Sequence, residues 1–329
     1  MKKFGAAGWI VLVLVLGAVL VLAVAVGTIP VPISASIRAM LGEGDPLDIV
    51  IVRDLRLPRA ILAALVGSGL GASGAALQGT LRNPLAEPYL LGVSGGAAVG
   101  AVIAFAAGAD ADGIITLAAF GGAVVAVVVA LGVARAGGKS VRADVRTLLI
   151  AGVIVGAFAN AVIMVALANA PPNMVRGALW WMMGSAADAS WTRVGWLAAS
   201  VAIVGGVLVH RAREIDVLML GEDSASALGV DAARSGRIIY FLAALLAAAT
   251  VASAGMVGFV GLIVPHIART LGIRAHRPLI VAAALIGASL VVAADLSART
   301  LAPPTELPLG AITALLGVPF FLVQLRRVA

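Results

Sequence analysis

The chain has 329 residues, of which 62% are hydrophobic and 12% charged, with a mean hydropathy of +1.11 and a net charge of +7. Soluble domains carry about 25% charged residues, so a soluble reading is excluded and the chain reads as one all-α, polytopic membrane domain over 1–329. The absence of cysteine rules out disulfides, thiolate metal sites and cysteine nucleophiles, and the scattering of the basic residues over short loops argues against nucleic acid as a partner.

Lys2 and Lys3 precede an uncharged run from Phe4 to Ile37. Ala23-Val24-Ala25 resembles a signal-peptide cleavage site. The apolar core 9–27, however, exceeds the roughly 7–15 residues of a signal h-region, so a retained first helix is expected. At about 20 apolar residues per span, ten spans are expected, at 9–27, 60–80, 89–107, 114–134, 148–168, 194–209, 238–253, 257–271, 279–296 and 307–325. The seventh and eighth divide near Ala254, where Gly255, Gly258 and Gly261 favour a turn. Ten spans put both termini on one side. With the termini in the cytoplasm, sixteen of the 23 Lys and Arg residues fall inside and seven outside, the bias expected of a correctly oriented membrane protein.

In chain order, Arg53, Arg56 and Arg59 stand at the outer mouth of the second span, with Pro58 as a first-turn residue. The three-residue spacing of Arg56 and Arg59 puts both on one side of a helix. Such guanidinium forks suit pairing with carboxylates; an ordinary snorkelled interfacial cluster is the alternative. Gly67 and Gly71, then Gly92, Gly96 and Gly100, repeat at four-residue spacing and are expected to let helices approach closely within the subunit. Gly69-x-Gly71-x-x-Gly74 matches a dinucleotide fingerprint but sits inside an apolar span with no preceding strand, and Gly138-Lys139-Ser140 lacks the first glycine of a phosphate loop. Any ATP-driven work therefore needs a partner.

Asn83-Pro84-Leu85-Ala86-Glu87-Pro88 is a stiff inner turn, either a gate or simply a turn. Trp180, Trp181, Trp191 and Trp196 fall where an outer aromatic belt belongs, and a short helix is expected at 174–185. Asp295 and Arg299 are four apart and can pair on one helix face; Glu306 opens the last span, where a carboxylate suits a helix N-terminus. His210, His266 and His276 show no metal-ligand spacing, and no metal or cofactor is expected. The span centres carry no Asp, Glu, Lys or Arg, which argues against an ion-coupled carrier, and no nucleophile–base pair supports a membrane enzyme.

The longest polar interruption runs from His210 to Arg237. Two short amphipathic pieces, 214–220 and 223–228, are each followed by a glycine, Gly221 or Gly229, able to end a helix. Asp223 or Ser224 can cap the second piece. The pair forms a cytoplasmic knob, a docking surface for a soluble partner or a connecting loop.

Several motifs together resemble the permease subunits of bacterial importers for iron-siderophores, haem and vitamin B12, the FecCD-type, BtuC-like family. They are RLPR at 56–59, GxxLQGxxRNPLAEPxxLGVSGGA at 74–97, WMMGS at 181–185, LGEDSASALGV at 220–230, GFVGLIVPHIAR at 258–269 and ELPLGAITALLGVPFF at 306–321. The resemblance implies a ten-helix, type II importer permease in the bacterial inner membrane, working as a homodimer with the pathway on its axis and importing an iron chelate (ferric siderophore or haem) or, alternatively, cobalamin. It implies two ATP-binding cassette subunits docked on Leu220, Gly221, Glu222, Asp223, Ser224, Ala227, Leu228 and Gly229. It places a periplasmic binding protein on Arg56, Arg59 and Arg299, and a cytoplasmic gate at Asn83 and Leu85. A second gate would fall at Val145-Arg146-Thr147, which departs from the small hydroxyl residues such permeases can use there.

Overall fold

The computed structural model describes residues 4–27, 29, 31–109, 111–136 and 145–328. Lys2, Lys3 and the Gly138-Lys139-Ser140 sequence lie outside the described residues, as do the side chains of Val145 and Arg146. Among the described residues the chain is helical with no strand. In order the helices are α1 (Ala6–Ala25), α2 (Ile33–Leu41), α3 (Pro46–Thr80), α4 (Val93–Ala106), α5 (Asp112–Ala136), α6 (Val145–Ala168), α7 (Pro172–Met183), α8 (Trp191–His210), α9 (Ala212–Leu218), α10 (Glu222–Ala227), α11 (Ala232–Ala254), α12 (Val260–Thr270), α13 (His276–Thr300) and α14 (Leu309–Val328).

Each of the ten expected spans coincides with a helix, and the short helix expected at 174–185 is α7. Seven of the helices are long and apolar enough to cross a membrane. Boundaries differ from expectation by a few residues at most spans, and most of all at the second. The second span begins at Pro46 rather than 60, because α3 extends for 35 residues. It accommodates Pro58 just after a π-helical stretch, Val50–Arg56, whose wider turn relieves the clash a proline makes with the preceding turn. The eighth span is cut short: α12 has 11 residues, about 16 Å at 1.5 Å per residue, against a hydrocarbon core of about 30 Å.

α3 runs through the centre against α11, α12 and α13. Of its most apolar window 78% is buried, whereas α1 buries 11% of its own. Lipid gives apolar helices no hydrophobic reason to associate, so contact rests on how closely the backbones approach. A Cβ on Gly67 would lie 2.0 Å from the carbonyl oxygen of Gly287, and one on Gly74 would lie 2.0 Å from that of Gly261. Gly67 and Gly74 are therefore crossing points of α3 with α13 and α12, and Gly71, against the Ala283 carbonyl, is another with α13. Gly96 and Gly100 do the same for α4 against α5.

Non-helical backbone at membrane depth survives only where protein satisfies its polar groups. The α11–α12 connection obeys this rule. Val257 N–H donates to Tyr89 Oη (2.6 Å) and Phe259 N–H to Glu87 Oε1 (2.7 Å). Ser185 N–H donates to the Ala254 carbonyl (2.9 Å). Gly255, at φ +69°, passes so close to Trp181 that a Cβ would meet its carbonyl oxygen at 2.1 Å.

Candidate functional site

On one face, two arginines meet the end of α1 and a third stands beside them. Its sequence supplies no polar cap for the last carbonyls, which need donors from elsewhere. Arg56 Nη1 donates to the carbonyls of Val24 (3.1 Å) and Ala25 (2.9 Å), and Arg56 Nη2 to that of Ile29. Arg299 Nη2 donates to the carbonyl of Ala23. The negative end of the helix dipole adds to this attraction. Arg59 spends its whole fork on two carboxylates. Its Nε and Nη2 reach Asp295 at 2.9–3.1 Å, and its Nη1 and Nη2 reach Glu306 at 2.8 and 2.9 Å.

Arg56, Arg59 and Arg299 are thus brought together, but each is engaged within the chain, while the Arg53 side chain is exposed. Arg56 and Arg299 are 6% exposed. The pair expected along α13 is the weaker one: Arg299 Nε stands 3.8 Å from Asp295 Oδ2, beyond a hydrogen bond, while Arg59, a bidentate donor from another helix, takes the carboxylate. Glu306 does not cap the last helix; it precedes α14 by three residues and faces Arg59, whose hydrogen bonds hold its carboxyl below the ordinary glutamate range.

The tryptophans do more than ring an interface. Trp180 and Trp181, with Phe105, Met174 and Arg193, line a cavity of about 720 Å³ between α4, α5, α7 and α11. Trp191 Nε1 donates to the Arg53 carbonyl (3.2 Å), and Trp196 packs edge-on against Phe120.

On the opposite face, the turn after α3 leaves the helix through Arg82 at φ +47°. Asn83 Oδ1 accepts from Leu85 N–H (2.9 Å), closing an Asx turn that presents Leu85 at 50% exposure. Behind it, Gln78 Nε2 donates to the carbonyls of Gly261 and Leu262, and its Oε1 accepts from Arg269 Nη1 (2.6 Å). The turn is therefore tied to α12 by Gln78, Glu87 and Tyr89, three residues to which sequence reasoning gave no role. Glu87 had one visible signal, a lone carboxylate between two prolines in an apolar stretch.

The polar interruption folds as two short helices, α9 and α10, displaced by one or two residues from the expected pieces. Gly221 (φ +104°) and Gly229 (φ +77°) take the left-handed conformations expected of them. The expected capping does not occur: Gly221 is itself the N-cap of α10 and no side chain caps it. Asp223 and Ser224 are inside the helix and exposed, and Asp231 caps the next helix, α11, by accepting from Arg234 N–H (2.9 Å). Ala225 is buried, while Leu220 and Leu228 stand 63% and 60% exposed among Glu222, Asp223, Ser224 and Ala227. His276 is a buried structural histidine, with Nδ1 2.6 Å from Asp216 Oδ1 on α9, a partner sixty residues away that no spacing could reveal.

The profile of the FecCD transport family matches residues 13–327. A cobalamin import permease of Halobacterium salinarum is 43% identical over 84% of this chain and 73% of its own. An iron(III)-citrate import permease of Bacillus subtilis is 37% identical over 84% of this chain and 82% of its own. A solved, inward-facing ABC transporter assigned to the metal-chelate type superposes with a TM-score of 0.86 at 29% identity, over 97% of this chain and 98% of its own. The chain belongs to the FecCD transport family as the membrane-spanning permease subunit of an ABC importer, and ATP hydrolysis resides in a separate ATPase subunit.

Proposed function

We propose that two copies of this chain and two ATPase subunits form a bacterial inner-membrane importer, with both termini in the cytoplasm, that moves a bulky metal chelate from a periplasmic binding protein to the cytoplasm by alternating access. An iron chelate, ferric siderophore or haem, is the first reading. Cobalamin is the second, favoured by the 43% identity to the Halobacterium salinarum permease. The homodimer reading is supported by the large apolar side chains that α6 and α14 leave uncovered, Phe158, Met164 and Leu315 among them at 71–75% exposure; the remaining apolar surface suits lipid.

One observation carries the ATPase assignment: Leu220 and Leu228 project from an otherwise polar tip. Exposed apolar anchors inside a polar rim are how partner surfaces are built. The rest of the set, Gly221, Glu222, Asp223, Ser224, Ala227 and Gly229, supplies the rim and its turns. Leu228→Asp is expected to weaken ATPase binding by about 2 kcal/mol or more, as loss of an interface anchor does, while leaving the opposite face untouched. Undiminished co-purification of the ATPase with that variant would remove the assignment.

For the other face, the reading is that a binding-protein carboxylate takes the place of Glu306 on Arg59, with Arg56 and Arg299 holding the frame. Three guanidinium groups gathered on one face favour approach of an acidic surface. Asn83 and Leu85, at the exposed turn beside the coupling segment, act as the inner gate.

A further inference from the structure

The coupling segment meets the membrane body at a three-way contact. Asp216 on α9 accepts from the backbone N–H of His276 (3.0 Å) and pairs with its Nδ1 (2.6 Å). His276 opens α13, whose own N-cap, Ala275, offers no side-chain hydrogen bond. The carboxylate of a different helix takes that place at the positive end of α13. The His276 ring, 1% exposed, in turn lies against Gly79 in the last turn of α3. A Cβ on Gly79 would fall 2.2 Å from His276 Nε2 and 2.4 Å from Ile215 Cγ2 of α9.

No slack remains between the three helices at this point. Close-packed surfaces of this kind shift together rather than deform independently. Gly79 stands four residues before Asn83, and the chain between them stays hydrogen-bonded to the helix end. Arg82 N–H donates to the Gly79 carbonyl (3.2 Å) and Asn83 N–H to the Gln78 carbonyl (3.1 Å).

We propose that Asp216 is a positioning residue that carries displacement of the coupling segment, through His276 and Gly79, to the Asn83–Leu85 turn. The inference rests on the reading that the ATPase docks on 220–229. It adds a route: the turn is driven through the side of α9 facing the membrane, not through the docking tip itself.

The chain has no cysteine, so a Leu85→Cys substitution gives one thiol whose alkylation rate reports the turn. The experiment uses the complete permease–ATPase complex in nanodiscs, with and without a non-hydrolysable ATP analogue. With Asp216 intact, the analogue is expected to change the alkylation rate at least about fivefold, the lower end of ordinary allosteric coupling. Asp216→Ala is expected to bring that ratio close to one while ATPase affinity stays unchanged. A merely structural role would alter the rate equally in both nucleotide states and leave the ratio intact. Gly79→Ala, which wedges the joint from the α3 side, is expected to abolish the ratio as well, and it decides the matter if Asp216→Ala fails to assemble. An undiminished ratio in an assembled variant overturns the proposal. If Leu228→Asp binds the ATPase as tightly as the parent, the docking reading fails first and the joint falls with it.

Discussion

At the scale of single residues, the chemistry of the arginine face lies in who holds whom. Asp295 is 2% exposed and its carboxylate is held by the Arg59 fork. Arg59→Ala would leave it buried with only Arg299 at 3.8 Å, a change that costs about 3–5 kcal/mol. The Glu306 side chain is 40% exposed, and Glu306→Gln should cost less than about 1 kcal/mol. Thermal unfolding in detergent separates the two; equal losses would contradict the geometry. The pH dependence has a definite sign. Hydrogen bonds from Arg59 depress the Glu306 carboxyl, so its contribution is complete at neutral pH and is lost as pH falls below the ordinary glutamate range. The stability gap between the parent and Glu306→Gln should therefore close on acidification. These residues were all conspicuous in the sequence as charges in an apolar chain. Their closest partners were not, because Arg59 and Asp295 are 236 residues apart, and a local i,i+4 rule shows only the longer Arg299–Asp295 pair.

At the scale of elements, glycines decide which helices touch. Gly67→Ala would put a methyl 2.0 Å from the Gly287 carbonyl oxygen, whereas Gly121, on α5, has nothing within 4 Å of its Cβ position. The first substitution should destabilise by about 1–3 kcal/mol through overpacking. The second should be neutral or stabilising by up to about 1 kcal/mol, since alanine suits a helix better than glycine. Similar effects at both positions, measured by detergent unfolding, would contradict the crossing. Hydropathy made the ten segments legible because burial in lipid and in protein favours the same side chains. For the same reason it could not show that α12 is only 11 residues long: its residues read as a full span, and the tie of Glu87 and Tyr89 to the backbone at Phe259 and Val257 lies beyond any hydropathy pattern. The short helices of the coupling segment were legible from their glycines. The cap of α10 was not, since Gly221 itself fills the position that Asp223 and Ser224 were expected to serve.

At the scale of the whole molecule, the two polar faces stand at opposite ends of the same long helices. α3 carries Arg59 near one end and Gly79 at the other, and α13 carries His276 and Asp295 likewise. Motifs spread over nearly the whole chain made the family legible. The substrate was not, because no charge or ligand pattern in the sequence favours one metal chelate over another. Uptake into proteoliposomes containing this chain and its ATPase, with the binding protein and its metal chelate outside, is the most direct test of the account. The predicted result is accumulation of the chelate that requires ATP, ATPase and binding protein together and is lost with Leu228→Asp. Accumulation that ignored ATP and followed a proton or sodium gradient would contradict it.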